Sequence, residues 1–308
     1  MEYVRVLVTG GAGFIGSNLV EALVARGDSV TVLDNFSTGA EENLEEVLDD
    51  IKVVRGSCQK ISSLDLNGFK SIFHIGIPSS SPMYKDDPSL VGKAINGFIE
   101  VMELAADDKA NVVYASSSSI YAQCSPPHRE DMELEPFDYY TEARIAMERL
   151  AKVYHGLHNV NSVGMRFFSI YGPHEEFKGR YANIVSQFLW KIKEGKRPKI
   201  YGDGEQTRDF TYVGDVVKAC LEAADRDLGC ERVNVGTGRE TSFNRVVELI
   251  NQILGKSIQP EHVENPIDNY VYRTKADLTK AKKLLDYEPS IDLEEGIKNL
   301  IEINYQRK

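Results

Sequence analysis

The sequence predicts an α/β protein: a doubly wound parallel sheet, then a smaller and more irregular mixed α/β carboxyl-terminal lobe. Three observations predict it. Short, nearly continuous apolar runs alternate with amphipathic stretches up to about residue 171, as in a sheet buried on both faces. A glycine-rich turn joins the first run to the first helical stretch. Beyond residue 171 the alternation gives way to segments dense in turn residues. The 308 residues suffice for two domains sharing a cleft. We expect residues 1–171 to form one domain, to which the chain returns around 211–238, and 172–308 to form a second.

The expected strands are "VRVLVTG" (4–10), "SVTVLDN" (29–35), "IKVVRG" (51–56), "SIFHIGI" (71–77), "NVVYASS" (111–117) and "NSVGMRFFSIYG" (161–172). Helical periodicity marks "SNLVEALVARG" and "GFIEVMELAADD", and right-handed crossovers then wind the sheet on both faces. In the second half, "NIVSQFLWKIKEG" scans as helix, "RPKIYGDGEQTRDFTYVGD" as turns, and two terminal amphipathic helices break at "DYEPS", where Pro289 stops the first.

The net charge of −11 argues against a nucleic-acid partner, which needs a basic surface. The sequence has no long uninterrupted apolar run of the kind that spans a membrane, and a cytosolic protein is expected. Cys58, Cys124, Cys220 and Cys230 are scattered, without metal-ligand spacing, and read as reduced thiols; the six histidines form no ligand set, so no metal site is expected. His74 reads as a packed strand-end residue.

Gly10, Gly13 and Gly16 follow the first strand and open the first helix, the context of a dinucleotide fingerprint. Glycines permit the tight turn and close approach to a pyrophosphate, which then meets the positive end of the helix. Asp34 ends the second strand, placed for adenosine ribose hydroxyls; its charge repels a 2′-phosphate, and Asn35-Phe36 offers no arginine to receive one, so NAD is favoured over NADP.

A second pattern lies in "YYTEAR" (139–144). Tyr140 and Arg144 stand four apart and share a helix face, whereas Tyr139 has Ala143 at that spacing. With "VVYASSSSIYA" (112–122) and "YGDGEQTRDFTYVGD" (201–215), these stretches resemble the extended short-chain dehydrogenase/reductase family, in particular its NAD-dependent sugar-nucleotide epimerases and dehydratases, over nearly the whole chain. The resemblance implies a Rossmann-like fold and a catalytic hydroxyl at Ser117, a catalytic tyrosine at Tyr140, and Arg144 in place of the family's lysine. Arginine keeps the positive charge that favours a phenolate, but its planar fork differs in geometry from an ammonium.

The implied cofactor set comprises Gly10, Gly13, Phe14, Ile15, Gly16, Asp34, Asn35, Ser37, Thr38, Gly39, Ser57, Cys58, Ile75, Gly76, Ile77, Asn96, Tyr140 and Arg144. The implied substrate set comprises Ser117, Ser118, Ser119, Ser169, Tyr181, Tyr201, Arg208 and Thr274. In similar dehydratases and decarboxylases, carboxyls that serve elimination fall on positions held here by Ser118 and Ser119, so dehydration lacks its acid and base. The serine run resembles epimerases that accept N-acetylhexosamines. Thr274 replaces a large tyrosine that narrows the pocket of glucose/galactose-restricted relatives, and Arg208 resembles a diphosphate-binding arginine.

The implied activity is a UDP-sugar 4-epimerase, for UDP-N-acetylglucosamine/galactosamine and also UDP-glucose/galactose, acting as a homodimer. Four departures surround the ligand sites: Ser57 for an aspartate, Gly76-Ile77 for two alanines, Ser169 for an asparagine, and an arginine missing from "VENPIDN", with Arg273 as a displaced substitute. A sugar-nucleotide dehydrogenase with net NAD turnover, or a silent NAD-binding module, stays open.

Overall fold

A computed structural model describes residues 4–266 and 270–306. Seven strands build the central sheet: β1 (Arg5–Thr9), β2 (Ser29–Asp34), β3 (Ile51–Arg55), β4 (Ser71–His74), β5 (Asn111–Ser117), β6 (Ser162–Phe167) and a later strand, β11 (Cys230–Val235). All are parallel, in the order β3-β2-β1-β4-β5-β6-β11. Valine, leucine and isoleucine dominate them because both faces are covered. Helices α1 (Phe14–Arg26) and α6 (Val213–Ala224) lie on one face; α3 (Leu90–Asp108) and α4 (Tyr139–His158) lie on the other. The order reverses between β1 and β4, and a crevice opens there at the carboxyl ends of the strands.

The segment expected as one strand over 161–172 is broken. Ser169 takes a left-handed φ of 34°, so β6 stops at Phe167 and only β7 (Ile170–Tyr171) resumes. Short strands β8 (Lys199–Tyr201), β9 (Thr207–Arg208), β10 (Thr211–Tyr212), β12 (Thr241–Ser242) and β13 (Glu261–Val263) form three two-stranded pairs: β10 with β7, β12 with β9, and β13 with β8. A third apolar core gathers Val185, Phe188, Leu189, Val246, Ile250 and Ile297 from α5 (Ile184–Lys193), α7 (Phe243–Leu254) and α9 (Leu293–Gln306). Helix α8 (Thr279–Leu285) ends at a left-handed Asp286, three residues before the Pro289 expected to stop it. The remaining short helix, α2 (Ser81–Asp86), contributes Ser81 and Met83 to the lining of the crevice.

Among the described residues no helix is long and apolar enough to cross a membrane. All four cysteines are free thiols. His74 ends β4 fully buried, with Nδ1 2.9 Å from Thr9 Oγ1; burial pushes its pKa down to about 3, helped by the nearby Arg144 charge.

Candidate active site

The crevice is a cavity of about 640 Å³. One end is a cradle of backbone. Gly13 caps α1 in an extended conformation and the first turn carries no acid, so the amides of Phe14, Ile15 and Gly16 present an uncompensated positive end. A side chain at Gly16 would collide with Gly10 O, and one at Gly76 would stand 2.7 Å from Gly10 N. The two loops touch backbone to backbone, which explains glycine at position 76 in place of the expected alanine.

Asp34 accepts from Ala12 N at 2.9 Å and Phe36 N at 2.7 Å; burial raises its pKa, and these amides work against the rise. Ser57 caps the turn at Cys58–Ser63 by accepting from Gln59 N at 3.3 Å. Arg55 does not line the cavity; its guanidinium lies 4.3 Å over the Phe36 ring and pairs with Glu41. Burial holds the Cys58 thiol protonated, its pKa pushed up to about 11.

At the other end stand Ser117, Ser118, Ser119, Tyr140 and Arg144. Tyr140 sits in the first turn of α4 because Asp138 and Thr141 close a reciprocal cap: Thr141 N donates to Asp138 Oδ1 at 2.8 Å, and Asp138 N to Thr141 Oγ1 at 2.9 Å. Its ring is 6% exposed and packs edge-on against Tyr84 at 5.4 Å. Arg144 shares the helix face, yet its guanidinium lies over the Tyr140 ring at 4.7 Å and is 2% exposed. Nη2 donates to Pro78 O at 2.7 Å and Nη1 to Ala115 O at 3.3 Å, while Nε is buried without a partner. Ser117 ends β5, and its Oγ accepts from Ser119 N at 3.1 Å.

Of the residues singled out from sequence, the cavity gathers all the cofactor set except Asn96. That side chain is exposed, and Lys93, Ala94 and Gly97 of the same helix line the cavity. From the substrate set, Ser117, Ser118, Ser119, Ser169 and Tyr181 line it, and Tyr201, Arg208 and Thr274 do not. Tyr201 is 41% exposed on β8. Thr274 turns inward, its Oγ1 3.4 Å from Asp209 N, so its size does not set the width of this cavity.

Arg208 lies between the Phe243 and Tyr270 rings, 5.5 and 5.4 Å from their centroids, and donates to Thr207 O and Tyr272 O. Its sequence neighbour Asp209 is bound elsewhere, to Thr237, Gly238 and Ala276. Burial pushes the Arg208 pKa down. Arg273 pairs with Glu240 at 2.7 Å; "VENPIDN" lies partly outside the described residues.

Sequence reading missed Glu175 and Lys178, which line the cavity in a turn without periodicity. Glu175 is fully buried, and burial raises its pKa against the pull of Lys178 Nζ at 3.6 Å.

A profile of the NAD-dependent epimerase/dehydratase family matches residues 6–236. The chain belongs to that family. NAD is its cofactor, and the cradle of Gly10, Gly13 and Gly16 with Asp34 fits it: backbone amides toward a pyrophosphate and a carboxylate toward ribose. This family member is 34% identical to a putative UDP-glucose 4-epimerase of Methanocaldococcus jannaschii, over 96% of this chain and 97% of that one. It is 31% identical to a UDP-N-acetyl-alpha-D-glucosaminuronate decarboxylase of Bacillus cytotoxicus, over 97% of each chain. Among solved structures, a UDP-N-acetylglucosamine 4-epimerase from Methanobrevibacter ruminantium, in complex with UDP-N-acetylmuramic acid, superposes with a TM-score of 0.92 over all of both chains at 27% identity. The relatives thus share UDP-sugars while differing in reaction.

Proposed function

We propose that the chain is a UDP-sugar 4-epimerase that takes N-acetylhexosamines, with UDP-glucose and UDP-galactose as further substrates. The observation that carries this reading is the grouping of Tyr140, Arg144 and Ser117 at one end of the cavity whose other end fits NAD, with serines at positions 118 and 119. NAD, when bound, supplies a hydride acceptor and donor for carbon 4 of the sugar, so the net redox change is zero.

Tyr140 takes the proton of the sugar 4-hydroxyl, with Ser117 hydrogen-bonded to the same oxygen, and returns it after the keto sugar has turned. Arg144 holds a buried positive charge against the Tyr140 ring. Ser118 and Ser119 offer hydroxyls but no carboxyl, which disfavours elimination of water. Glu175, the buried carboxyl of the wall, has its oxygens engaged by Asn183 N, Ser186 Oγ and Lys178. The N-acetylhexosamine preference rests on the small serine run and the likeness to the N-acetylglucosamine epimerase, no longer on Thr274.

One observation favours a second reading, a silent NAD-binding module: the Arg144 fork is spent on the carbonyls of Pro78 and Ala115. Incubation with UDP-N-acetylglucosamine, with and without added NAD, followed by proton NMR, separates the readings. Formation of the galacto epimer without NADH is expected. Accumulating NADH would replace the epimerase with a dehydrogenase, and no product from any UDP-sugar would leave the silent module.

We also propose a homodimer across α3 and α4, because Val153 and Leu157, one turn apart on α4, are 50% and 74% exposed. Sedimentation equilibrium showing a monomer at micromolar concentration would reject it.

A further inference from the structure

A buried polar network lies behind the serine turn. Glu148 stands on α4 one turn beyond Arg144 and two beyond Tyr140, on the same face. Its Oε1 accepts from Ser116 Oγ at 2.7 Å and Arg166 Nε at 2.9 Å, and its Oε2 from Arg166 Nη2 at 2.7 Å. The other arm of Arg166, on β6, donates from Nη1 to the Tyr121 hydroxyl at 2.6 Å. That hydroxyl donates in turn to Asn234 Oδ1 on β11 at 2.8 Å. Asn234 is anchored by Glu130 and by the carbonyls of His128 and Asp277. All members from Ser116 to Asn234 are buried. Burial works against the Arg166 charge, and Glu148 and the Tyr121 hydroxyl together outweigh it.

Stability alone does not call for such a pair, since replacing a buried ion pair by apolar residues is often neutral or stabilising. The ends of the network indicate its use. Ser116 precedes Ser117; Tyr121 is the last residue of the turn that carries Ser118 and Ser119; Glu148 belongs to the helix that carries Tyr140 and Arg144. We propose that Glu148, Arg166 and Tyr121 are positioning residues, which fix Ser117, Ser118 and Ser119 relative to Tyr140 without touching substrate. The proposal rests on the epimerase reading above. A misplacement of about 1 Å costs on the order of 100-fold in rate.

Tyr121→Phe tests it, because the ring keeps its stack on His128 at 4.9 Å and loses only the hydroxyl. The expected result is a kcat lower by about ten- to a hundredfold with KM within about twofold. In a Ser117→Ala background the same change costs less than about threefold, because the catalytic hydroxyl is no longer there to be misplaced. Hydrogen exchange of the 117–122 amides quickens in Tyr121→Phe while that of α1 stays as in the wild type. An unchanged kcat, an equal loss in the Ser117→Ala background, or unchanged exchange at 117–122 would each overturn the proposal. Should Tyr121→Phe fail to fold, Ser116→Ala cuts the other end and the same pattern is expected. A wild type that turns over no UDP-sugar would sink the epimerase reading, and the exchange experiment would still decide the positioning role.

Discussion

Replacing Arg144 by methionine removes a guanidinium that is almost wholly buried, lies 4.7 Å from the Tyr140 ring and is bonded to two carbonyls. At an effective dielectric of about 20, a unit positive charge about 4 to 5 Å from an anionic reacting oxygen is worth about 3–4 kcal/mol. This corresponds to roughly 10²- to 10³-fold in turnover. The effect on stability is smaller. Loss of the donor to Ala115 O costs about 1–3 kcal/mol. Pro78 O keeps the Tyr84 hydroxyl as a donor, and relief from burying the guanidinium offsets much of the cost. A net change within about 2 kcal/mol, spread over 308 residues at about 2.1 cal/mol/K each, moves Tm by about 3 °C.

Arg144→Lys restores the charge but reaches one carbonyl at a time, so its kcat is expected within about tenfold of wild type. The assay is epimer formation by proton NMR at saturating NAD, with calorimetry on the same samples. An Arg144→Met enzyme that keeps more than a tenth of wild-type turnover would refute the electrostatic reasoning, as would a lysine variant as slow as the methionine one.

Glu175 has a pKa raised by burial, so the folded state binds its proton more tightly than the unfolded chain, and stability falls as pH rises from about 4.5 through that raised pKa. Glu175→Gln is therefore expected to melt above wild type at pH 8 and to converge with it near pH 4.5; parallel curves would show that the carboxyl is not the cause. His74 is the opposite case. Its pKa of about 3 lies below the unfolded value of 6.5, so stability is lost as pH falls from about 6.5, at up to about 1.4 kcal/mol per pH unit for this one group. Denaturant unfolding at pH 6.5 and 5 should show a shallower loss in His74→Asn. Gly16→Ala forces a methyl onto Gly10 O, and isothermal titration should find NAD affinity lost; unchanged affinity would mean that the cradle is not the pyrophosphate site.

Much of this architecture was legible in the sequence wherever a feature is local and periodic. The parallel strands, the glycine turn, Asp34 at the end of β2 and the Tyr140–Arg144 pair all depend on short offsets along one element. The residues that the cavity does not gather have equally definite reasons. Asn96 stands one residue from Gly97, and a step of one residue on α3 turns a side chain by about 100°, away from the cavity. Tyr201 and Thr274 come from the turn-rich lobe, where no period says which way a side chain faces. Glu175 and Lys178 sit in an aperiodic turn, and the Glu148–Arg166 pair joins α4 to β6, a contact that neither segment encodes alone. Arg144 was found, but its place over the ring, with its fork on Pro78 and Ala115, required the loop after β4.

The position of β11 in the chain constrains how the molecule can be made or taken apart. Its residues are synthesised after β8 and β9, which lie outside the sheet, yet they finish the sheet and bring Asn234 to the Tyr121 hydroxyl. A nascent chain therefore cannot complete its seven-stranded sheet until residue 235 has left the ribosome. A fragment ending at residue 171 would leave β6 as an open edge and Tyr121 without Asn234. Exchanging the parts outside the sheet between relatives thus requires grafting at three junctions, because the chain leaves the sheet after β6, returns to it for β11 and leaves it again.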